Sequence, residues 1–411
     1  MTITARMFVG FAIGAFLLCG YSGIFAGEQT KQTETKEVSL FTILGQSPCT
    51  PAQRWSSSTG VSESSIPGFN GSSSNGYRTD SQRLFAGGSV TPRGAAIGME
   101  TFGDFFGGGI GWYKEDGERW ASYGASGAFP SEGGAEALPG ATVGRIKIVE
   151  NFNPMPVDRL IFDYNFFYNT PLTEEGVNVN RFTPGIEKTL FGGMSSIEVR
   201  LPMAFTLASD DSERIDHYEF GNMMLTFKQL LVDRRKTSVS AGLSLALPTA
   251  RNFVSDDIRV ENKSVHYMPF IAFQYKPNRE WFTQLYYQLD VDGNGNPVFE
   301  YTENPPGSGN RVVDDKYRVY DATYQYVSAS VGRWLYRDNT RRQGLTGMNV
   351  SGEVHWSTIL NRGHDFDVVN ATVGTRMIFG HRTSLGVAYC VPLTQTRQFD
   401  GELRITLNRY F

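Results

Sequence analysis

From residue 157 to its last residue the sequence divides into stretches of a dozen or so residues in which apolar and polar side chains alternate one by one. A period of two is that of a β-strand with one apolar and one polar face. Twelve such stretches are predicted: 157–168, 178–189, 194–206, 216–229, 236–248, 261–275, 279–290, 321–336, 345–358, 366–379, 382–394 and 400–411. In 236–248, Val239, Ala241, Leu243, Leu245 and Leu247 oppose Ser238, Ser240, Gly242 and Ser244. In 194–206, Ile197, Val199, Leu201, Met203 and Phe205 oppose Ser196, Glu198, Arg200 and Thr206. A soluble β-sandwich alternates in the same way, but its polar face meets water and fills with Lys and Glu. Here the polar face is small and mostly uncharged, with single Arg or Glu residues. The prediction is therefore all-β: a closed antiparallel transmembrane β-barrel of about twelve strands, preceded by a long irregular N-terminal segment.

The connections support closure independently. Counted back from the last strand, they alternate between long (395–399, 359–365, 291–320, 249–260, 207–215, 169–177) and short (380–381, 337–344, 276–278, 230–235, 190–193). Barrels of the bacterial outer membrane have long outer loops and short periplasmic turns. The short ones carry Gly380, Pro277 and Gly192-Gly193, residues suited to tight reversals. Composition agrees. With 38 Lys plus Arg against 42 Asp plus Glu, the net charge of −4 argues against a nucleic-acid binder. A mean hydropathy of −0.29 rules out a bundle of membrane helices. The 45 glycines and 13% aromatic residues suit antiparallel β structure.

The two ends add to this. Residues 1–26 read as a secretory signal peptide, with Arg6 before the apolar run Met7–Leu18 and small residues near Ala26. In 400–411, Leu403, Ile405, Leu407 and Phe411 share one face, and the strand closes on the aromatic Phe411. Signal, amphipathic last strand and terminal Phe together resemble bacterial outer-membrane β-barrels of the porin-like channel class; no single family is matched. The resemblance covers residues 157–411 and the signal. It implies outer-membrane localisation, contact with outer-membrane lipid, and Phe411 as a signal read by the barrel assembly machinery. It also implies small solutes as the transported partners, and it admits a homo-oligomer.

Parity assigns Arg159, Asp163, Arg181, Glu187, Glu198, Arg200, Lys228, Glu353, Arg376, Glu402 and Arg404 to the lumen as pore-lining residues. In an open pore these charges would screen solutes by size and charge. In a filled barrel they would pair across strands. Twelve strands lie between filled eight-stranded barrels and wide porins, so both readings stand. Tyr275, Trp281, Tyr287, Trp334, Tyr336 and Trp356 are a candidate interfacial girdle.

Residues 27–156 lack the barrel pattern. Ser56–Gly76 reads as linker, Gly103–Gly111 and Gly117–Gly140 are Gly-rich with aromatics, and only Arg145–Glu150 looks strand-like. The segment is predicted to be a lumen plug, a periplasmic domain or a tether. Parity turns Cys390 inward, so a Cys49–Cys390 disulfide would clip it inside the barrel; two separate thiols are the plain alternative.

No catalytic or metal pattern stands out, and neither cofactor nor metal is predicted. The five histidines form no His-Glu-x-x-His, and Gly242-Leu-Ser-Leu-Ala246 is no nucleophile elbow. His355-Trp-Ser-Thr358 lacks the Asn-Gly of the twelve-stranded outer-membrane phospholipases, and its parity is inward. In Asp292–Glu303, Pro297 stands where a calcium loop needs Gly. The functional expectation is an outer-membrane channel, not an enzyme, for diffusion or gated passage of small solutes. A plugged transporter of hydrophobic compounds and a structural, envelope-anchoring barrel without conductance are the alternatives.

Overall fold

A computed structural model of the chain describes residues 97–105, 111–117, 119–122, 145–170, 177–207, 218–255, 257–305, 309, 311–338, 340, 343–361, 367–380 and 382–411. In chain order the strands are β1 (Gly111–Lys114), β2 (Arg119–Ser122), β3 (Arg159–Thr170), β4 (Val177–Leu190), β5 (Ser195–Arg200), β6 (Met203–Leu207), β7 (Tyr218–Phe220), β8 (Met223–Asp233), β9 (Thr237–Leu247), β10 (Phe253–Ser255), β11 (Ile258–Val260), β12 (His266–Tyr275), β13 (Trp281–Asp292), β14 (Asn296–Glu303), β15 (Arg311–Asp321), β16 (Tyr324–Arg337), β17 (Leu345–Ile359), β18 (Asp367–Phe379), β19 (Thr383–Pro392) and β20 (Gly401–Tyr410).

Twelve staves close into an antiparallel barrel. They are β3, β4, β5 with β6, β7 with β8, β9, β12, β13, β16, β17, β18, β19 and β20, each paired with its neighbour in sequence. The seam is β3, whose Arg159 stands opposite Glu187 of β4 on one side and Tyr410 of β20 on the other. Closure removes every edge, which is what lets a sheet cross a membrane. β5 and β6 are one stave interrupted at Leu201-Pro202. Pro202 has no N–H to give, yet its carbonyl accepts from Gly221 at 2.8 Å, so the ladder resumes. The predicted strands match these staves to within a few residues.

Alternation sets the faces. Along β3, Leu160 and Phe162 are exposed while Arg159, Ile161 and Asp163 are buried. The exposed set over the other staves is apolar in the same way: Ile197, Phe227, Leu243, Ile271, Leu285, Val373, Val387 and Leu407. Tyr275, Trp281 and Tyr336 mark the short-turn end of the apolar belt, and Tyr287 and Trp356 the long-loop end; all five are more than a third exposed. An outward apolar belt bounded by aromatics on a closed barrel is the form of an outer-membrane protein. Trp334 departs from the expected girdle. It is 8% exposed and turned inward, on the same parity as Tyr326, Ser328 and Ser330; a bulge between Trp334 and Tyr336 then turns Tyr336 outward.

A second sheet stands beyond the long-loop end, in the order β10-β11-β14-β15-β1-β2. Trp112, Val260, Val298 and Val319 form its core. The loops 249–260 and 291–320, expected to be irregular, thus contain strands. The first half of β15, residues 311–316, is exposed on both faces, so it shows no alternation to read. The hairpin β1–β2 comes from the N-terminal segment and pairs Trp112, Tyr113 and Lys114 with Asp321, Tyr320 and Val319.

Residues 97–105 and 145–157 lie inside the barrel, every one of them buried. The first stretch starts at the short-turn end, where Ile97 and Met99 cluster with Phe282, Trp334, Ile378 and Tyr410. It ends at the long-loop end, where Phe105 meets Met268, Tyr324 and Tyr326. Eight extended steps of about 3.3 Å span the barrel's apolar height of about 25 Å. The second stretch returns from Ile146 at the long-loop end, through Ile148, Val149 and Phe152 at mid-height, to Met155 and Val157 at the other. Arg145–Glu150 is not a strand, contrary to the sequence expectation. It is held by side chains rather than by a ladder, and its backbone turns where Glu150 N–H meets Lys147 O at 3.1 Å.

Candidate functional site

All eleven residues assigned to the lumen by parity face inward and are buried. The charges of the interior, these and others, form three groups. The first belongs to the staves alone. Arg159 bridges Glu187 at 2.9 Å and Glu198 at 3.0 Å, Arg200 meets Glu198 at 2.7 Å, and Lys228 meets Glu187 at 2.7 Å. Asp163 extends the chain, 3.5 Å from Arg200. Charges at this depth are stable only when paired and hydrogen-bonded, and here each carboxylate holds a cation.

The second group joins staves to the segment. Glu150 is shared by Arg181 and by Arg404 at 3.2 Å, while Arg404 also holds Glu402 at 2.6 Å. Glu100 lies 3.5 Å from Arg376 and accepts from Tyr410. Glu353 accepts two backbone N–H groups, Phe102 at 2.8 Å and Gly103 at 2.9 Å.

In the third group the segment supplies the cation. Arg145 meets Asp290 at 3.0 Å and Asp321 at 2.6 Å. Lys147 meets Asp104 at 2.8 Å and donates to Ser357 at 2.9 Å. Glu100, Asp104, Arg145, Lys147 and Glu150 were not singled out from sequence, nor were Asp290 and Asp321. One signal was present: Arg145-Ile-Lys-Ile148 alternates cation and aliphatic, as a chain between charged and apolar walls would.

The staves also grip the segment's backbone carbonyls. Arg404 donates to Phe102 O at 2.7 Å, Arg376 to Glu100 O at 3.2 Å, Arg200 to Glu150 O at 2.6 Å and Lys228 to Asn153 O at 2.6 Å. Asn349 holds Gly98 O at 2.6 Å, and Thr372 holds Gly103 O at 2.9 Å. One side chain anchors by shape. Phe102 is fully buried against Gly374 and Gly386, where an added Cβ would come within 2.5 Å and 2.7 Å of its ring. The Arg376 guanidinium covers the ring at 4.7 Å.

The remaining candidates are placed as follows. Cys390 is buried and inward-facing; Cys49 lies outside the described residues. Phe411 is half-exposed at the short-turn rim, with the Lys188 ammonium 5.1 Å over its ring. His355 and Ser357 face inward, His355 within 3.0 Å of the Ser328 hydroxyl. The Asp292 carboxylate accepts from Gly295 N–H at 2.8 Å and Asp321 N–H at 2.8 Å, which makes it the brace of a turn.

No protein-family model matches the chain, and no curated protein matches it. Among solved structures it is similar to an outer-membrane channel from Pseudomonas putida F1, at 12% identity over 69% of this chain and 99% of that one, with a TM-score of 0.43. It is also similar to the beta domain of the Bordetella autotransporter BrkA, at 12% identity over 62% and 99%, with a TM-score of 0.41. The CymD monoaromatic hydrocarbon channel is similar at 10% identity over 62% and 89%, with a TM-score of 0.36.

Proposed function

We propose that the chain is a gated outer-membrane channel for small polar solutes, closed in this conformation by residues 97–105 and 145–157 of its own N-terminal segment. The observation that carries this is the large polar share of the contacts holding the two inner passes, beside the apolar clusters along them. Arg200, Lys228, Arg376 and Arg404 reach backbone carbonyls, and Arg181 and Arg404 reach Glu150. Water replaces such contacts far more readily than it replaces an apolar seam, because the freed groups are hydrated rather than exposed as oil. The stave network of Arg159, Glu187, Glu198, Arg200 and Lys228 keeps its pairs without the segment, so the wall survives displacement.

The test is conductance of residues 27–411 in a planar bilayer. The native protein is expected to show rare discrete steps. Phe102→Ala, which removes an anchor worth about 3–5 kcal/mol of burial, is expected to raise open probability at least tenfold. A folded barrel silent in both forms would overturn the channel reading and leave the envelope-anchoring barrel.

A further inference from the structure

The inner wall is not uniform. Its charges concentrate on β3, β4, β5, β8, β17, β18 and β20. Between β8 and β17, the middle of the wall on β9, β12, β13 and β16 is neutral. Ser238, Gln274, Gln284 and Ser330 are direct cross-strand partners in a single row over these four staves. Ser240 lies one step above Ser238 on the same face, and Gln288 two steps above Gln284. All six side chains are at most 2% exposed. Each carries a polar atom without a partner among the described residues: the hydroxyls of Ser238, Ser240 and Ser330, Oε1 of Gln274 and Gln284, and Nε2 of Gln288. Buried polar atoms are normally satisfied; the charged wall has unpartnered ones too, at Arg181, Thr183 and Asn370, but here six lie in one uncharged strip able to meet something that hydrogen-bonds.

At mid-height the segment's polar contacts on this side are to neutral groups; at the long-loop end Arg145 bridges Asp290 of β13. The neutral wall offers Gln284 to Met99 O at 2.6 Å and Gln288 to Ile148 N–H at 2.9 Å. Gln274 reaches only the Met99 sulfur, at 3.9 Å. The opposite wall uses guanidinium and ammonium groups, whose hydrogen bonds are about twice as strong as neutral ones. An opening that leaves the segment on the charged wall breaks the Arg145–Asp290 pair but keeps those of Arg181 and Arg404 with Glu150 and of Arg376 with Glu100.

We propose that solutes pass between the segment and the neutral wall of β9, β12, β13 and β16, and that they are uncharged polyhydroxylated or amide compounds. This rests on the gated-channel reading. The strip offers three hydroxyls, two amide oxygens and one amide N–H, so a solute rich in hydroxyls exchanges water for protein partners as it moves. An ion finds no charge there to offset its lost hydration.

The experiment combines liposome swelling and reversal potentials, using the full mature chain. Mannitol is expected to enter several times faster than gluconate or N-methylglucamine of similar size. Gln284→Glu is expected to move the potassium-to-chloride permeability ratio several-fold toward the cation. Ser330→Asp, in the same row, should do the same and guards against misfolding of the first variant. Glu198→Gln, on the charged wall, should shift the ratio less than either. A larger shift with Glu198→Gln, or equal entry of the three solutes, would overturn the neutral path while leaving a channel. Absence of both swelling and current in every folded form would overturn the channel reading as well.

Discussion

At the scale of single residues, the interior depends on a few groups that serve two parts of the chain at once. Glu150 takes both Arg181 and Arg404, and Glu353 takes two successive N–H groups. Replacing Glu150 with Gln leaves two guanidinium groups short of a carboxylate; breaking a buried pair in this way costs about 3–5 kcal/mol. The expected outcome is proteolysis of the N-terminal segment in a barrel that still runs as a folded species on a gel. Gly374 is a second sensitive point, because Phe102 occupies the space of its missing side chain. Gly374→Val is expected to destabilise segment docking by about 1–3 kcal/mol, read as faster hydrogen exchange at Phe102 and Gly103. The eleven lumen positions were legible because lipid demands strict alternation and parity then fixes the inner face. The grips on backbone carbonyls were not, since every residue carries a carbonyl and none advertises its partner. Trp334 shares the inward parity of Ser328, Ser330 and Gly332, so alternation alone places it inside; the bulge after it, which turns Tyr336 outward, leaves no mark on composition.

At the scale of elements, staves and outer strands obey different constraints. The staves lie between lipid and lumen and must alternate; the outer strands lie in water and need not. That contrast is why β3 through β20 could be located from sequence as a barrel while β14 and β15 read as loop. The pairing of β1 with β15 ties the N-terminal segment to the outer sheet through three residue pairs and the Trp112 side chain. Trp112→Ala removes about 3–5 kcal/mol of burial. It is expected to free the hairpin, seen as loss of amide protection at Val319, Tyr320 and Asp321, with the staves unchanged.

At the scale of the whole molecule, the N-terminal segment runs outward along residues 97–105, presents β1 and β2 beyond the long loops, and comes back along 145–157. A cysteine at Glu115, an exposed turn residue of that hairpin, is therefore expected to react with a membrane-impermeant maleimide on intact cells. The native chain should not, and labelling only after the outer membrane is opened would contradict the outward path.

That route also orders events in time. If β3 and β20 zipped together first, the β1–β2 hairpin would have to be fed through a finished ring and out of its far end. If the ring is still open, the same residues need only lie across a curved sheet that then wraps around them. β3 and β20 are also the paired staves farthest apart along the chain, so their meeting carries the largest loop-closure cost. The last ladder to form is thus the one at Arg159 and Tyr410, and the barrel is born already threaded.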